Sequence, residues 1–192
     1  MRTFIAIEIP AEIKAALAAL QTELRRVGAD VNWTRAENIH LTLKFLGEVD
    51  ERLIGEIEKV CVDSVAEFRP FALSLNDTGV FPDSRQPRVL WAGLSGEVEK
   101  VIEMQRRLDE RLALIGFERE EKAWRPHLTI GRVKSNRKTR ELLALATSHS
   151  LPALSFEVRE IVLMKSELQP AGARYTPMAK AYLRGEEKRF EI

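Results

Sequence analysis

Two of the three histidines in this 192-residue chain open almost identical tetrapeptides, His-Leu-Thr-Leu at residues 40–43 and His-Leu-Thr-Ile at residues 127–130. Residues two apart on a β-strand point to the same face, so each histidine would share a face with a threonine. An imidazole adopts either protonation state near neutral pH, and a threonine hydroxyl donates a hydrogen bond without adding charge. Such a pair suits acid–base chemistry on an anionic group.

The repetition of the tetrapeptide indicates a site with two catalytic imidazoles. If the strand bearing His40 and Thr42 and the strand bearing His127 and Thr129 line one cleft, one neutral imidazole can take a proton from water while the other, cationic, protonates a leaving oxygen. The hydroxyls can bind the non-bridging oxygens of a phosphate. The reaction that fits is in-line hydrolysis of a phosphodiester. The residues alone leave open which histidine is the acid.

Other kinds of site find less support in the sequence. His-x-Thr is not a zinc-ligand spacing, and no second histidine or carboxylate stands at ligand spacing beside either tetrapeptide, so we expect no metal and no other cofactor. No serine or cysteine nucleophile with a partner base is indicated. The single cysteine, Cys61, lies in an apolar-periodic run and is expected to be a buried helix residue. The third histidine, His149, stands in a polar turn and is expected at the surface.

The composition is typical of a soluble globular protein, with 45% hydrophobic and 31% charged residues and a formal net charge of +1. A net charge so close to neutral means that any nucleic-acid-binding surface must be local. A single cysteine cannot form an internal disulfide, which favours a reducing compartment. Because no segment has the length of a signal peptide or a membrane span, we expect a cytoplasmic protein with no membrane partner, and a monomer by default.

Hydrophobic periodicity predicts strands and helices that alternate in two rounds, with one tetrapeptide at a comparable place in each round. This arrangement predicts a single domain, residues 1–192, made of two similar lobes that share a cleft. The predicted strands cover residues 2–9, 31–35, 38–49, 71–81, 88–95, 125–134, 154–168 and 173–184, and the predicted helices cover residues 11–28, 50–68, 97–116 and 137–147.

With its tetrapeptides in these flanks, the chain resembles the 2H phosphoesterase superfamily, and within it the RNA 2′,3′-cyclic phosphodiesterases, historically called 2′-5′ RNA ligases. The segments that carry the resemblance are RTFIAIEIP, NIHLTLKFLGEV, GVFPDSRQPRVLWAGL, WRPHLTIGRVK and SELQPAGARYTPMAKAY. The resemblance implies an α+β bilobal fold with two pseudo-symmetric lobes, whose antiparallel sheets line a central cleft and whose helices lie outside.

The resemblance also implies an activity, the metal-independent hydrolysis of RNA 2′,3′-cyclic phosphate ends to a 2′-phosphate. By the family pattern His40 would be the proton donor and His127 the proton acceptor, although the reversed assignment stays open. Ligation of 2′-5′ bonds would be a side activity, since water favours hydrolysis. Two alternatives remain: a relative acting on a small cyclic nucleotide or an ADP-ribose cyclic phosphate, and a non-catalytic module that binds RNA ends. The two intact histidines argue against the second.

Several basic and aromatic residues near the tetrapeptides are candidates for holding the RNA. On a regular strand Lys44 would share the face of His40, whereas Arg132 would point away from His127 unless a bend at Gly131 re-aims it. Aromatic residues that could stack against bases, and further basic residues that could attract phosphates, complete the set of candidates. The candidates for stacking against bases are Phe45, Trp33, Trp124 and Tyr175, and those for attracting phosphates are Arg125 and Lys134.

Overall fold

The structure of the protein is a computed structural model that describes residues 1–170 and 172–185. In this part of the chain nine strands and four α-helices follow one another. The strands are β1 (Arg2–Glu8), β2 (Val31–Trp33), β3 (His40–Glu48), β4 (Phe71–Phe81), β5 (Val89–Gly96), β6 (His127–Val133), β7 (Ser155–Val158), β8 (Glu160–Gln169) and β9 (Gly172–Tyr182). The helices are α1 (Ala11–Arg25), α2 (Ile54–Val65), α3 (Val98–Leu114) and α4 (Thr139–Ser148).

The helices form where apolar residues recur at helical spacing. In α1 the side chains of Ile13, Leu17 and Leu24 lie on one face and are fully buried. Gly28 then takes a positive φ of 71°, which a residue with a Cβ adopts only with strain, and α1 is followed by this turn. In α3 Val101 and Leu108 are buried in the same way. These apolar stripes attach the helices to the sheet.

The described strands form one antiparallel sheet in the order β7-β4-β5-β6-β3-β1-β8-β9, with β2 added beside β6. The two tetrapeptides lie on β3 and β6, which are neighbours at the centre of this order. The ladder between β3 and β6 is reduced to one pair of residues, Leu41 opposite Leu128. A minimal junction therefore joins two groups of strands, one on the β3 side and one on the β6 side.

The helices cover one face of the sheet and leave the other face to the cleft. Leu41, Leu43, Leu128 and Ile130 are at most 1% exposed and belong to the same core cluster as the buried residues of α1 and α3. The histidines and threonines that alternate with these apolar residues therefore point away from the helices. The predicted fold class, two α+β lobes with antiparallel sheets along a cleft and helices outside, is confirmed.

The prediction of one strand over residues 154–168 is wrong. The segment breaks at Arg159 into β7, which pairs with β4, and β8, which pairs with β1. The sequence did not reveal the break because both sides are typical of strands, β7 with alternating burial and β8 with a continuous apolar run from Ile161 to Met164. Since β4 and β1 belong to different lobes, this segment passes from one lobe to the other and curls the sheet around the cleft.

Candidate active site

The register of β3 against β6 brings the two tetrapeptides together. With Leu41 opposite Leu128, the antiparallel register sets His40 opposite Thr129 and Thr42 opposite His127. An approximate two-fold axis therefore passes through the Leu41–Leu128 pair. All four polar side chains line a single cleft of about 300 Å³. The site that the repetition predicts, two imidazoles and two hydroxyls in one cleft, is present.

Each imidazole is oriented by a hydrogen bond of the same kind. Nδ1 of His40 lies 2.7 Å from the carbonyl oxygen of Asn38, and Nδ1 of His127 lies 2.7 Å from the carbonyl oxygen of Arg125. A carbonyl oxygen only accepts, so Nδ1 must carry the hydrogen in each ring. In the neutral form the lone pair is then on Nε2. Each Nε2 is consequently the atom that can accept or return a proton.

His40 is enclosed by aromatic rings. The ring of Phe4 stacks on it with centroids 4.7 Å apart and an interplanar angle of 25°, and Tyr175 meets it edge-on at 5.3 Å. Burial removes water from the cationic form and lowers the pKa of His40 from 6.5 to about 4. The hydrogen bond to the Asn38 carbonyl opposes this shift, and the charge of Lys14 adds to it. In the free cleft this imidazole is neutral at pH 7.

His127 is less enclosed. The ring of Phe81 meets it edge-on with centroids 4.9 Å apart. Burial is again the main reason that its pKa lies below 6.5, the carbonyl of Arg125 opposes the shift, and the positive charge of Arg132 lowers the pKa further. Both imidazoles are therefore harder to protonate than a histidine in water.

The hydroxyls of Thr42 and Thr129 are available to a ligand. Both side chains are half-buried and line the cleft. Within residues 1–170 and 172–185 neither hydroxyl makes a hydrogen bond to another protein group. Two neutral donors placed on opposite sides of the two-fold axis can bind the two non-bridging oxygens of a phosphate, one each.

A bulge in β3 changes the face on which Lys44 lies. Ala6 of β1 faces Thr42 and Ile5 faces Lys44, so Leu43 is an extra residue with no partner on β1. The bulge reverses the alternation, and Lys44 therefore shares a face with the buried Ile5 instead of with His40. The strand is therefore not regular, which was the condition for Lys44 to share the face of His40, although Lys44 still borders the cleft. Its role in substrate binding remains a prediction.

The ammonium of Lys44 is bound beneath the cleft. Nζ lies 2.6 Å from a carboxylate oxygen of Asp109, 2.6 Å from the carbonyl oxygen of Glu118 and 3.2 Å from a carboxylate oxygen of Glu120. The side chains of Lys44 and Asp109 are 5% and 7% exposed, so this is a buried pair. The pair ties α3 to β3, and the contacts of Lys44 with Glu118 and Glu120 tie the segment after α3 to the same strand. The same segment carries Trp124, whose indole N–H donates to the Thr42 carbonyl at 3.2 Å.

A matching bulge in β6 aims Arg132 into the cleft. Trp91 of β5 faces Thr129 and Leu90 faces Gly131, so Ile130 is the extra residue. Arg132 consequently shares the face of Thr129 and lines the cleft, as the bend expected at Gly131 would produce. A Cβ on Gly131 would lie 2.7 Å from Cγ1 of Val31, which explains the glycine. The corresponding bulge in β3 brings Phe45, 59% exposed, to the cleft face.

The remaining candidates divide into two groups. Tyr175 and Trp124 line the cleft. Trp33 instead packs against Gly131, with the guanidinium of Arg25 at 5.3 Å from its ring. The side chains of Arg125 and Lys134 are exposed and do not line the cleft, although the carbonyl of Arg125 orients His127. A role in binding RNA remains a prediction for each of these residues.

The structure also settles two residues outside the cleft. Cys61 is 4% exposed on α2, and burial raises the pKa of its thiol to about 12, which confirms the expected buried helix residue. His149 follows α4 and is half-buried, so it is less exposed than expected for a polar turn.

Four residues of the site escaped the sequence reasoning: Phe4, Asn38, Phe81 and Glu120. Phe4 and Phe81 contact the histidines from other strands, and Asn38 presents a carbonyl to His40 while its amide donates to the Ala173 carbonyl at 2.7 Å. The phenylalanines fit the strand pattern as ordinary apolar residues. The offset of two positions between each histidine and its carbonyl is shared by both halves, but it involves backbone atoms of different residue types and so leaves no signal in the sequence.

Among residues 1–170 and 172–185, no three histidine, cysteine or acidic side chains come together as a group that could hold a metal ion. The described helices include none that is long and apolar enough to cross a membrane. Independence from metal stays a prediction that an experiment must test.

Comparison with known sequences identifies relatives along nearly the whole chain. The sequence model of the 2′-5′ RNA ligase superfamily matches residues 9–170. The RNA 2′,3′-cyclic phosphodiesterase of Methanothermobacter thermautotrophicus is 37% identical over 179 residues, covering 93% of this chain and 96% of the relative. The protein of the same name from Thermotoga maritima is 34% identical over 185 residues, covering 96% and 97%.

Solved structures of similar proteins share the fold. TT0787 of Thermus thermophilus superposes with a TM-score of 0.79 at 30% identity, covering 97% of this chain and all of that one. Escherichia coli LigT in its apo form superposes with a TM-score of 0.77 at 27% identity, covering 95% and 97%. LigT has also been crystallised with 3′-AMP, and that structure superposes with a TM-score of 0.76.

Proposed function

Because the chain belongs to the 2′-5′ RNA ligase superfamily, we propose that it is an RNA 2′,3′-cyclic phosphodiesterase that opens terminal cyclic phosphates with water. The observation that carries the proposal is the pair of imidazoles in one cleft, each with Nδ1 bound to a carbonyl and Nε2 left for chemistry. Binding alone would need no such pair, whereas hydrolysis needs a base for the water and an acid for the leaving oxygen.

The reaction uses the two Nε2 atoms on opposite sides of the phosphorus. One imidazole takes a proton from water as the water oxygen forms its bond to phosphorus. The P–O3′ bond breaks, and the other imidazole, protonated at Nε2, gives its proton to O3′. The product is a 2′-phosphate with a free 3′-hydroxyl. The two imidazoles end with exchanged protonation states and return to the starting states through exchange with water.

For the order of roles we propose His40 as the acid and His127 as the base, as the resemblance implies. This order demands something of the substrate, because burial makes His40 hard to protonate in the free cleft. A phosphate monoanion beside Nε2 favours the cationic form and raises the pKa, so the bound substrate supplies the charge that the acid needs. The reversed order would place the neutral His40 as the base.

The threonines and the cleft walls hold the substrate in this proposal. Thr42 and Thr129 donate to the non-bridging oxygens, where negative charge accumulates as water attacks. Arg132 attracts phosphate, and Phe45 and Tyr175 offer aromatic faces for a base. In the part of the chain that the structure describes, no carboxylate pairs with Arg132, which favours an anionic ligand there. Arg125 does not line the cleft, whereas Lys44 borders it with its ammonium bound to Asp109, Glu118 and Glu120.

The proposal is tested with the EDTA-treated protein and a short RNA ending in a 2′,3′-cyclic phosphate. We expect a 2′-phosphate product, identified by chromatography against both phosphate isomers, and loss of turnover in His40→Ala and in His127→Ala. Tight binding without turnover would contradict the enzymatic proposal. Loss of activity on EDTA treatment, restored by a divalent ion, would contradict the metal-independent mechanism.

A sulfur-substituted substrate separates the two imidazole roles. When sulfur replaces the 3′ oxygen, the leaving thiolate needs no proton, because the pKa of a thiol is near 8.5. We expect this substrate to restore much of the turnover of the variant that lacks the acid, His40→Ala, and little of that of His127→Ala. Restoration of His127→Ala alone would establish the reversed order.

A further inference from the structure

The four motif side chains do not by themselves decide which oxygen of a cyclic phosphate leaves. A cyclic phosphate on the two-fold axis presents one ring oxygen toward His40 and the other toward His127. Rotation of the substrate by half a turn about this axis exchanges O2′ and O3′ but leaves the same imidazoles and hydroxyls in place. The same rotation carries the nucleoside, with its 5′ phosphate, from one end of the cleft to the other. The ends of the cleft must therefore select the orientation.

The two ends of the cleft differ in their charged side chains. Because β3 and β6 are antiparallel about Leu41 and Leu128, the part of β3 beyond Thr42 lies at one end and the part of β6 beyond Thr129 lies at the other. Arg132 is at the second end. At the first end lies Glu120, which is held beside Lys44. The motifs repeat, but the charges at the ends do not.

Glu120 is held firmly at its end. Its carboxylate lies 3.2 Å from Nζ of Lys44, and its backbone N–H faces the carboxylate of Asp109 at 3.2 and 3.3 Å. The side chain nevertheless remains 45% exposed. Among the described residues that line the cleft, Glu120 is the only one with a carboxylate. Lys44 also borders the cleft at this end, but its single ammonium is shared between Glu120 and Asp109, so the charge of Glu120 is only partly balanced and a second phosphate group would meet repulsion there.

At the opposite end the cleft continues into a further cavity of about 460 Å³. Arg132, Thr34 and Asn38 line both spaces, and Arg35 adds a second guanidinium to the further cavity. Arg35 also lies 3.8 Å from Glu37, so its charge is partly balanced. No described residue lining this cavity is acidic. This end has both the room and the charge for the preceding nucleotide and its phosphate.

We propose that the opposed charges of Arg132 and Glu120 orient the RNA end and so determine which P–O bond breaks. The inference rests on the proposed function. The 5′ phosphate of the terminal nucleotide lies toward Arg132 and Arg35, which presents O3′ to the proton donor. In the rotated orientation that phosphate lies beside Glu120, O2′ faces the donor, and the same attack of water yields a 3′-phosphate.

The test is the ratio of 2′-phosphate to 3′-phosphate formed from a short RNA ending in a 2′,3′-cyclic phosphate. We expect one isomer to predominate in the wild-type protein. The charge exchange Arg132→Glu with Glu120→Lys should lower the ratio by about tenfold, because like charges then meet in the native orientation. The isosteric Glu120→Gln should lower the ratio by a smaller factor. A variant that reacts slowly with an unchanged ratio would overturn the inference.

A nucleoside 2′,3′-cyclic phosphate, which has no 5′ phosphate, is the matched control. Its product ratio should be the same in the wild-type and the charge-exchanged protein, since it carries no second anion to be steered. A change of similar size with this control would show that the substitutions act through distortion of the site and would overturn the inference. If wild-type protein turns over neither substrate, the proposed function itself has failed.

Folding of the charge-exchanged protein is checked by its thermal transition. Should it not fold, the neutral pair Arg132→Gln with Glu120→Gln takes its place, since Lys44 keeps its partner Asp109 in that variant. The expected outcome is then a product ratio for RNA that approaches that of the nucleoside control. An RNA ratio that stays at the wild-type value would contradict the assigned role of the two charges.

Discussion

The His40 and His127 halves of the cleft agree in the parts that would perform chemistry and differ in the parts that would bind. Each histidine has Nδ1 at 2.7 Å from the carbonyl two residues earlier. Each tetrapeptide contains a bulge at its fourth residue, Leu43 or Ile130. The fifth and sixth positions differ: Lys44 and Phe45 in one half correspond to Gly131 and Arg132 in the other.

The difference shows that a repeated backbone can support an asymmetric site. Both bulges turn the sixth residue toward the cleft, an aromatic ring in one half and a guanidinium in the other. Both turn the fifth residue toward the core, where Lys44 fills its space with an ion pair and Gly131 gives its space to Val31. The histidines differ in turn, because the aromatic rings of Phe4 and Tyr175 enclose only His40.

Removal of either imidazole should have the largest effect on kcat. We expect His40→Ala and His127→Ala each to lower kcat by about 10²- to 10⁴-fold, the usual contribution of a general acid or base. The losses should be similar if the halves are catalytically equivalent, and far from additive in the double variant. Steady-state kinetics on the cyclic-phosphate RNA gives the numbers, with unchanged thermal transitions as the control. Activity near wild type in either single variant would contradict the two-histidine mechanism.

The fifth positions should differ in their effect on stability. Lys44→Met leaves the Asp109 carboxylate buried without its main partner, and we expect a loss of about 3–5 kcal/mol in the free energy of unfolding. Gly131→Ala places a Cβ 2.7 Å from Cγ1 of Val31 and should cost less, about 1–3 kcal/mol. Urea unfolding of both variants measures the difference. Restoration of part of the loss by Lys44→Met with Asp109→Leu would identify the unpaired charge as its cause.

The threonines should contribute equally if the phosphate lies on the two-fold axis. We expect Thr42→Val and Thr129→Val each to lower kcat by about 10- to 100-fold, less than loss of a histidine, because each removes one neutral donor to the phosphate. Valine keeps the shape and the branched Cβ of threonine, so the strands should persist. Unequal losses in the kcat of the two variants would show that the phosphate lies nearer to one lobe.

The pH dependence of activity should report the protonation states of both histidines. Activity needs one neutral and one cationic imidazole, so it falls at low pH when both are cationic and at high pH when both are neutral. Because burial lowers the pKa of both histidines, the maximum of kcat/KM should lie on the acid side of 6.5. The kcat profile, which reports the bound state, should lie at higher pH because the phosphate monoanion raises both pKa values. Coincident profiles would contradict this role of the substrate.

Two charge removals with small effects distinguish the halves. Lys14 lowers the pKa of His40, and Arg132 lowers the pKa of His127. We expect Lys14→Gln to move only the limb of the kcat/KM profile that belongs to His40, and Arg132→Gln only the limb that belongs to His127, both toward higher pH. Arg132→Gln should also raise KM, which Lys14→Gln should leave closer to wild type. The same limb moving in both variants would mean that the histidines titrate as one coupled unit.

The pairing of each histidine with its threonine could be predicted from the sequence because it follows from local alternation. Two residues apart on a strand means one face, and this places His40 with Thr42 and His127 with Thr129 without knowledge of the fold. The bulges at Leu43 and Ile130 were not predictable, because a bulge is defined by the partner strand and not by the bulged one. The face of Lys44 could therefore be predicted only for a regular strand, which β3 is not.

Long-range contacts were equally inaccessible. The rings of Phe4 and Tyr175 reach His40 from strands at opposite ends of the described chain, and neither residue differs in its pattern from a core or surface strand residue. The break at Arg159 is of the same kind, since only the pairing of β7 with β4 and of β8 with β1 distinguishes two strands from one. The elements could be predicted from periodicity, whereas their partners depend on the tertiary structure.

The pairing of β1 with β8 has a consequence for the order in which the protein matures. The strand that carries Phe4 is made before β8 and Tyr175, from which it is separated by most of the described chain. Pairing between such distant segments is slow, and the nascent chain must keep β1 unaggregated until β8 arrives. The His127 half lies on β6, whose neighbours β5 and β3 are made before it. We therefore expect the His127 half to form first during synthesis, and the enclosed His40 half to form only after β8 and β9 have been made.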